Sequence, residues 1–171
     1  SGMKLARGDK VIGMIVTDDF DTSVLTISKY GMAKRSRLGS GEMIASTQGD
    51  ESQSENVFDE SGNQIFERDG YRKTNRGTKG VRTMSLRDGD EIVSVRQIPD
   101  LEDQLFMLTG SGMMIRMVSG QTKETLGKVT KGTRIMELRN RDRSGYVDEI
   151  VFVARLPSEL IDTAESPNEE E

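Results

Sequence analysis

The chain has 171 residues, 33% of them hydrophobic and 31% charged, with no cysteine and no histidine. Without cysteine there is no disulfide framework and no thiolate metal site; without histidine the Ser-His-Asp, Cys-His and histidine-zinc schemes are excluded. No long apolar run is present, which argues against a membrane span or a signal-peptide core, and the length suffices for one domain with a core.

The formal net charge of -5 conceals a segregation. Residues 41–70 hold eight acids and one base, and residues 156–171 hold six acids and no base. The remainder has 23 bases against 15 acids, about +8. A basic body with acidic appendages suggests a polyanionic partner and a built-in competitor for it.

In chain order, residues 11–16 (VIGMIV) form a short β-branched run that predicts a buried strand. An acidic turn follows at residues 17–21. Residues 24–28 and 32–37 flank Lys29-Tyr30-Gly31, which predicts a hairpin with glycine supplying the positive φ. Residues 39–70 are rich in Ser, Gly and acids and read as a mobile loop, with a small hairpin over 56–66 around Ser-Gly-Asn. Residues 81–86 and 91–98 are expected as strands joined by a tight turn at Asp88-Gly89-Asp90. Residues 105–108 and 113–118 form a second predicted hairpin. A longer charged turn is expected over 139–145. Residues 157–171 read as a disordered acidic tail, with a brief helical turn near Ser158.

The chain repeats itself. GMKLARGDKVIGMIV from Gly2 recurs as GVRTMSLRDGDEIVSVRQI from Gly80 and as GTRIMELRNRDRSGYVDEIVFVARL from Gly132. TSVLTISKYGMAKRSRL from Thr22 recurs as DQLFMLTGSGMMIRMVS from Asp103. The first two glycines lie 78 residues apart and the next pair 52, so an insertion separates the first pair. Such a period of alternating apolar and polar residues indicates an all-β fold of stacked propeller-like blades. The expectation is a partial ring of about 2.5–3 four-stranded antiparallel blades over residues 1–156, interrupted by the acidic insertion 39–70.

Two groups of cations are candidates for contact with a polyanion. Gly70 to Arg82 (GYRKTNRGTKGVR) carries Arg72, Lys73, Arg76, Lys79 and Arg82, with glycines that let backbone approach a phosphate. Its echo near Gly132 carries Lys128, Lys131 and Arg134, with Lys123 just before it. The second group is Lys29, Lys34, Arg35 and Arg37, with Arg116 as the counterpart in the second hairpin. Alternation puts Lys34 and Arg35 on opposite faces, so residues 32–37 are expected at a sheet edge, where basic residues also block unwanted pairing. The acids at Asp18, Asp19, Asp21, Asp88, Asp90 and Glu91 fit no metal-ligand spacing and read as turn residues. No catalytic set, metal site or cofactor motif is present.

These stretches, in this order, resemble the last blades of the C-terminal, DNA-wrapping domain of the DNA gyrase A protein. The carriers are GMKLARGDKVIGMIV, LTISKYGMAKRS, NRGTKGV, DGDEIVSVRQI and DQLFMLTGSGMMIRM, and the likeness covers roughly residues 2–38 and 70–156. The resemblance implies a β-pinwheel whose rim binds and wraps duplex DNA, as a non-catalytic part of an ATP-dependent bacterial topoisomerase. The partners it implies are the remainder of the gyrase A protein and the gyrase component that hydrolyses ATP. It also implies a cytoplasmic, nucleoid-associated place, and no membrane. The chain departs from the family in lacking the glycine- and arginine-rich box before the first blade and in carrying the acidic insertion. It is expected to be a fragment of a longer polypeptide, whose open blade edges promote self-association or strand exchange. The alternatives are the equivalent domain of topoisomerase IV, or a propeller-type protein-interaction module. The latter would bind through apolar or acidic surface.

Overall fold

The computed structural model describes residues 2–48, 55–125, 130–138 and 148–161. The architecture is all-β, built on two equivalent antiparallel sheets. In the first, β1 (Ser23–Ser28) and β2 (Met32–Arg37) form the predicted hairpin, turning at Gly31 with φ 80°. β7 (Ile92–Ile98) pairs with the free side of β1. In the second, β8 (Gln104–Thr109) and β9 (Met114–Val118) form the hairpin, and β11 (Ile150–Leu156) pairs with β8.

The likeness extends to irregularities. The β1–β7 register shifts beside Ser28 and Ile92, and the β8–β11 register shifts beside Thr109 and Ile150. These residues occupy the same positions of the repeat. A bulge recurring at one repeat position is a built feature that adds local twist.

The first sheet has a fourth strand from far along the chain. β10 (Thr133–Arg134) lies antiparallel on the outer side of β2, pairing Thr133 with Ala33 and Arg134 with Met32, so the order is β10-β2-β1-β7. The second sheet has the order β11-β8-β9 among the described residues. The first blade is therefore four-stranded, as expected, and is completed by a strand exchanged from the repeat that follows.

One apolar cluster joins the sheets. Leu25, Ile27, Ala33 and Ile98 from the first pack with Leu105, Met107, Ile150 and Val153 from the second, and Met136 closes the group. Arg96 on β7 donates from Nη2 to the Val153 carbonyl at 2.8 Å, and the Ile150 N–H donates to the Lys29 carbonyl at 2.8 Å, so polar bonds also cross the junction.

Four expectations are corrected. Residues 11–16 are mostly exposed and form no strand, so they are not a buried strand: Met14 and Val16 are 84% and 82% exposed. The equivalent segments β7 and β11 are strands because each pairs with a hairpin, and no described hairpin pairs with this copy. Residues 81–86 are likewise not a regular strand. They cross the hairpin, where the Thr83 carbonyl accepts Lys34 Nζ at 2.5 Å and Met84 is buried. Met32–Arg37 is not an edge strand, because β10 covers its outer side. The insertion is not a structureless loop. β3 (Met43–Ala45) pairs with β6 (Phe66–Arg68), and β4 (Thr47–Gln48) pairs with β5 (Glu55–Asn56).

The small hairpin predicted over 56–66 is present within that ribbon. Phe58 bridges Gln64, and Asp59 Oδ1 accepts the N–H groups of Ser61 and Asn63 at 2.9 and 2.8 Å. The predicted turn over 139–145 lies outside the described residues, as does the tail beyond Ile161. The start of the tail is tied down: the Ser158 N–H donates to Asp103 Oδ1 at 3.0 Å and its hydroxyl to Asp100 Oδ2 at 2.5 Å.

Candidate nucleic-acid interface

The structure sorts the predicted cations into two classes. Lys34 and Arg35 are buried, at 2% and 9% exposure, and take structural positions. Lys34 reaches across the hairpin to Thr83, and burial pushes its ammonium below the usual lysine range. Arg35 is held by three groups: Nε donates to the Thr122 carbonyl at 2.8 Å, and Nη1 donates to Ser23 Oγ at 3.0 Å and to Glu124 Oε2 at 2.9 Å. Alternation along β2 still holds; both faces are covered, so both residues are enclosed.

Lys29 lies half-buried over the Tyr30 ring, 5.0 Å from its centroid, with Glu91 Oε1 at 3.7 Å. Arg37 is exposed and clamped between Asp69 (Nε to Oδ1, 2.8 Å) and Asp21 (Nη2 to Oδ1, 2.9 Å). Lys73 stands 3.8 Å from Glu42. Arg72, Arg76, Lys79, Arg82, Arg116, Lys123, Lys131 and Arg134 are exposed and form no ion pair with a described residue. Lys128 lies outside the described residues.

Local geometry gathers part of this set. A cleft of about 220 Å³ between the base of the insertion and residues 81–83 is lined by Lys34, Arg37, Arg68, Arg72 and Arg82, with Glu67 as its one acid. Tyr71 caps one wall through its hydroxyl contact with Thr83, and the Leu38 carbonyl accepts the Tyr71 N–H at 2.8 Å. Residues 2–4 lie against the basic string: Met3 bridges Thr78, Lys4 N–H donates to the Thr78 carbonyl at 2.9 Å, and Gly77 N–H donates to the Gly2 carbonyl at 3.0 Å. That contact brings Lys4 beside the segment bearing Arg76 and Lys79.

Lys4 and Arg68 are additions to the set read from the sequence. Lys4 was legible in principle, because Gly2-Met3-Lys4, Gly80-Val81-Arg82 and Gly132-Thr133-Arg134 place a cation two residues after the same repeat glycine. Arg68 had no such signal, since its place in the cleft follows from pairing inside the insertion.

Asp69, beside Arg37, and Asp148, in the second blade, both lie below the usual carboxylate range. Asp69 is held below the usual carboxylate range, first by the Ser40 N–H donating to it at 2.7 Å and then by the Ser40 hydroxyl and Arg37, against a burial effect in the opposite direction. In Asp148 burial works upward but is outweighed by the hydroxyls of Ser111 and Thr109 and by the N–H groups of Ser111 and Glu149. A depressed folded value means that the unfolded chain binds more protons as pH falls through the carboxylate range, so this stability is present at neutral pH and lost on acidification. With no histidine, no side chain of ordinary pKa titrates between pH 6 and 8. The midpoint of thermal unfolding is expected to be flat over that range and to fall below about pH 5, with a shallower fall in Asp69→Asn. An equal slope in parent and variant would remove Asp69 as a contributor.

Two equivalent sheets, an outer strand exchanged between repeats and cations recurring at one repeat position define a β-propeller-type domain with blades joined by strand exchange. The sequence profile described as DNA gyrase C-terminal domain, beta-propeller, matches residues 1–18, 65–99 and 103–143, more than half of the chain. The chain belongs to that family. It is 27% identical over 164 residues to the DNA gyrase A protein of Campylobacter jejuni, covering 95% of this chain and 14% of that protein. It is 34% identical over 100 residues to the gyrase A protein of Metamycoplasma arthritidis, covering 58% of this chain and 10% of the relative. The chain thus spans about one seventh of the length of the first of these relatives. Among solved structures, the C-terminal domain of E. coli ParC matches with a TM-score of 0.54 at 16% identity, over 91% of this chain and 49% of that one.

Proposed function

We propose that this chain binds duplex DNA without sequence preference and helps to wrap it, as the C-terminal part of the A protein of a bacterial type II topoisomerase of the gyrase kind. The observation that carries this reading is the recurrence of an exposed cation at one repeat position, Lys4, Arg82 and Arg134, which forms no ion pair among the described residues, in a chain whose total charge is negative. Membership of the gyrase family supports it. Repeated cations spaced along stacked blades suit a curved phosphate backbone, because bending a short duplex costs several kcal/mol and needs many contacts to offset it. In this reading the chain grips DNA, while DNA cleavage and ATP hydrolysis belong to the rest of the enzyme at the nucleoid in the cytoplasm. The chain needs no cofactor for this.

The acidic insertion and tail act as local competitors. Asp69 already occupies Arg37, and Glu42 stands beside Lys73. Titration on a duplex of about 150 base pairs, one persistence length, is expected to show affinity falling steeply with salt, with a log–log slope of about -0.9 per phosphate neutralised. Replacing Arg72, Arg76, Lys79 and Arg82 together by glutamine should lower that slope by about 3 to 4. Removing residues 162–171, which spares the Ser158 contacts, should tighten binding. Absence of binding at low salt with the tail removed would overturn the proposal.

A further inference from the structure

The two blades differ in chemistry at one pair of equivalent positions. In β9, Ile115 and Met117 stand opposite Met107 and Leu105 and pack against the apolar core. In β2 the same repeat positions hold Lys34 and Ser36, opposite Thr26 and Val24. Lys34 and Ser36 share one face of the strand and are buried, at 2% and 8% exposure. Lys34 reaches the Thr83 carbonyl, whereas the Ser36 hydroxyl is enclosed without a hydrogen-bond partner among the described residues. An enclosed hydroxyl with no partner is costly, and a cavity beside it that can hold one relieves the cost. Both side chains line the cleft of about 220 Å³ under the insertion.

The neck of the insertion builds the facing wall. Gly70 has φ 65°, and a Cβ there would strike the Leu38 carbonyl, so only glycine lets the two arms of the neck cross this closely. The crossing fixes Tyr71 and, next to it, Arg72. Arg68 is half-buried and held by its Nη1 donating to the Gly41 carbonyl at 2.6 Å. Arg37 is already clamped by Asp21 and Asp69. That leaves Lys34, Arg68, Arg72 and Arg82 around the cleft against one lining acid, Glu67. The opening does not depend on an unpaired strand. Thr133 and Arg134 occupy the positions of Val81 and Arg82 in the blade whose outer strand is in place, and both stay exposed while paired with β2. A strand laid along residues 80–82 would bond their main chain and leave Arg82 at the surface in the same way.

We propose that this cleft binds a small free oligophosphate of the pyrophosphate kind. Its volume equals roughly seven waters at about 30 Å³ each, which holds two phosphoryl groups and is far too small for a duplex to enter. Guanidinium groups converging from two walls suit phosphate oxygens, which accept paired N–H donors. The Ser36 hydroxyl at the floor donates the hydrogen bond it otherwise lacks. This site goes beyond the DNA reading, which needs only cations spread along the surface.

Calorimetric titration of the whole chain with pyrophosphate at low salt is expected to show saturable, one-to-one binding. Ser36→Met installs the residue that β9 carries at this position, fills the floor of the cleft and changes no charge. It should weaken pyrophosphate binding at least about tenfold and leave duplex affinity unchanged, because no cation is removed. Ser36→Ala, which removes only the hydroxyl, should weaken binding severalfold and serves if methionine disturbs folding. Arg68→Gln should weaken it about tenfold. No saturable binding by the parent would overturn the proposal. Binding that the Ser36 variants leave unchanged would overturn it too, by placing the anion elsewhere on the basic surface. Neither result touches the DNA reading, which stands or falls on the duplex titration. Pyrophosphate binding lost in the Ser36 variants would support this site even in a chain that failed to bind duplex.

Discussion

Asp90→Ala is expected to destabilise the chain by about 3 kcal/mol, a drop of roughly 6–12 °C in unfolding midpoint for a domain of this size. The buried Asp90 carboxylate closes the first blade by accepting three hydrogen bonds: from Ser28 Oγ at 2.8 Å, from the Tyr30 N–H at 3.1 Å and from the Glu91 N–H at 3.0 Å. The Ser28 hydroxyl in turn accepts the Met32 N–H at 3.3 Å, so one carboxylate organises the hairpin turn and the entry into β7. Alanine leaves these donors without their acceptor, and the penalty for an unmade buried bond exceeds the net value of the bond itself.

The second blade repeats the device. Asp148 accepts the Ser111 N–H at 3.1 Å, the Ser111 hydroxyl at 2.5 Å and the Glu149 N–H at 3.0 Å, and Thr109 Oγ1 accepts the Met113 N–H at 3.1 Å. Here a hydroxyl on the third turn residue, Ser111, joins the one on the first, Thr109, and the carboxylate keeps its place. Asp148→Ala should therefore cost a similar amount. Asp90→Asn, which retains one acceptor oxygen, should cost less than Asp90→Ala. Thermal unfolding of the three variants checks this, and a midpoint for Asp90→Ala within 2 °C of the parent would contradict it.

Gly132→Ala should cost about 3 kcal/mol, combining roughly 1–2 kcal/mol for an alanine at positive φ with the displacement of β10 from Ala33. Gly80→Ala is the internal control, since it imposes the same backbone strain with no neighbour to strike. The difference between the two isolates the close approach of β10 to β2. Equal losses would mean that β10 is not held against the Ala33 carbonyl.

What could be read from the sequence was local. Gly31 and Gly112 fall at the turns of both hairpins, with φ 80° and 84°, because a tight turn needs a positive angle and leaves a glycine in a fixed place between alternating strands. What could not be read depended on distant partners. Asp90 looks like a turn acid in DGD, and nothing within that tripeptide reveals Ser28, 62 positions away. Lys34 and Arg35 look like surface cations because alternation assigns faces without saying whether both are covered. Residues 11–16 are more apolar than β7, but a strand is defined by its neighbour. The insertion illustrates the opposite error, since its polar composition suggested a loop while backbone pairing across Met43–Ala45 and Phe66–Arg68 builds a ribbon. For the cations, the repeat located the exposed Arg82 and Arg134, whereas the cleft that groups Arg68 with Arg72 arises only from folding.

The exchanged strand also sets a schedule for synthesis. Ala33 and its partner Thr133 are 100 positions apart, so the ribosome must add that much chain before the first blade can be finished. At about 5–20 residues per second the wait is on the order of 5–20 s, far longer than the microseconds a hairpin needs to form. During that interval β1 and β2 can pair with each other and then with β7, but the outer edge of β2 stays open to any strand that comes near. Completing one blade with the sequence of the next trades speed of folding for a lock between neighbours: the first sheet cannot close until the hairpin of the second has been made.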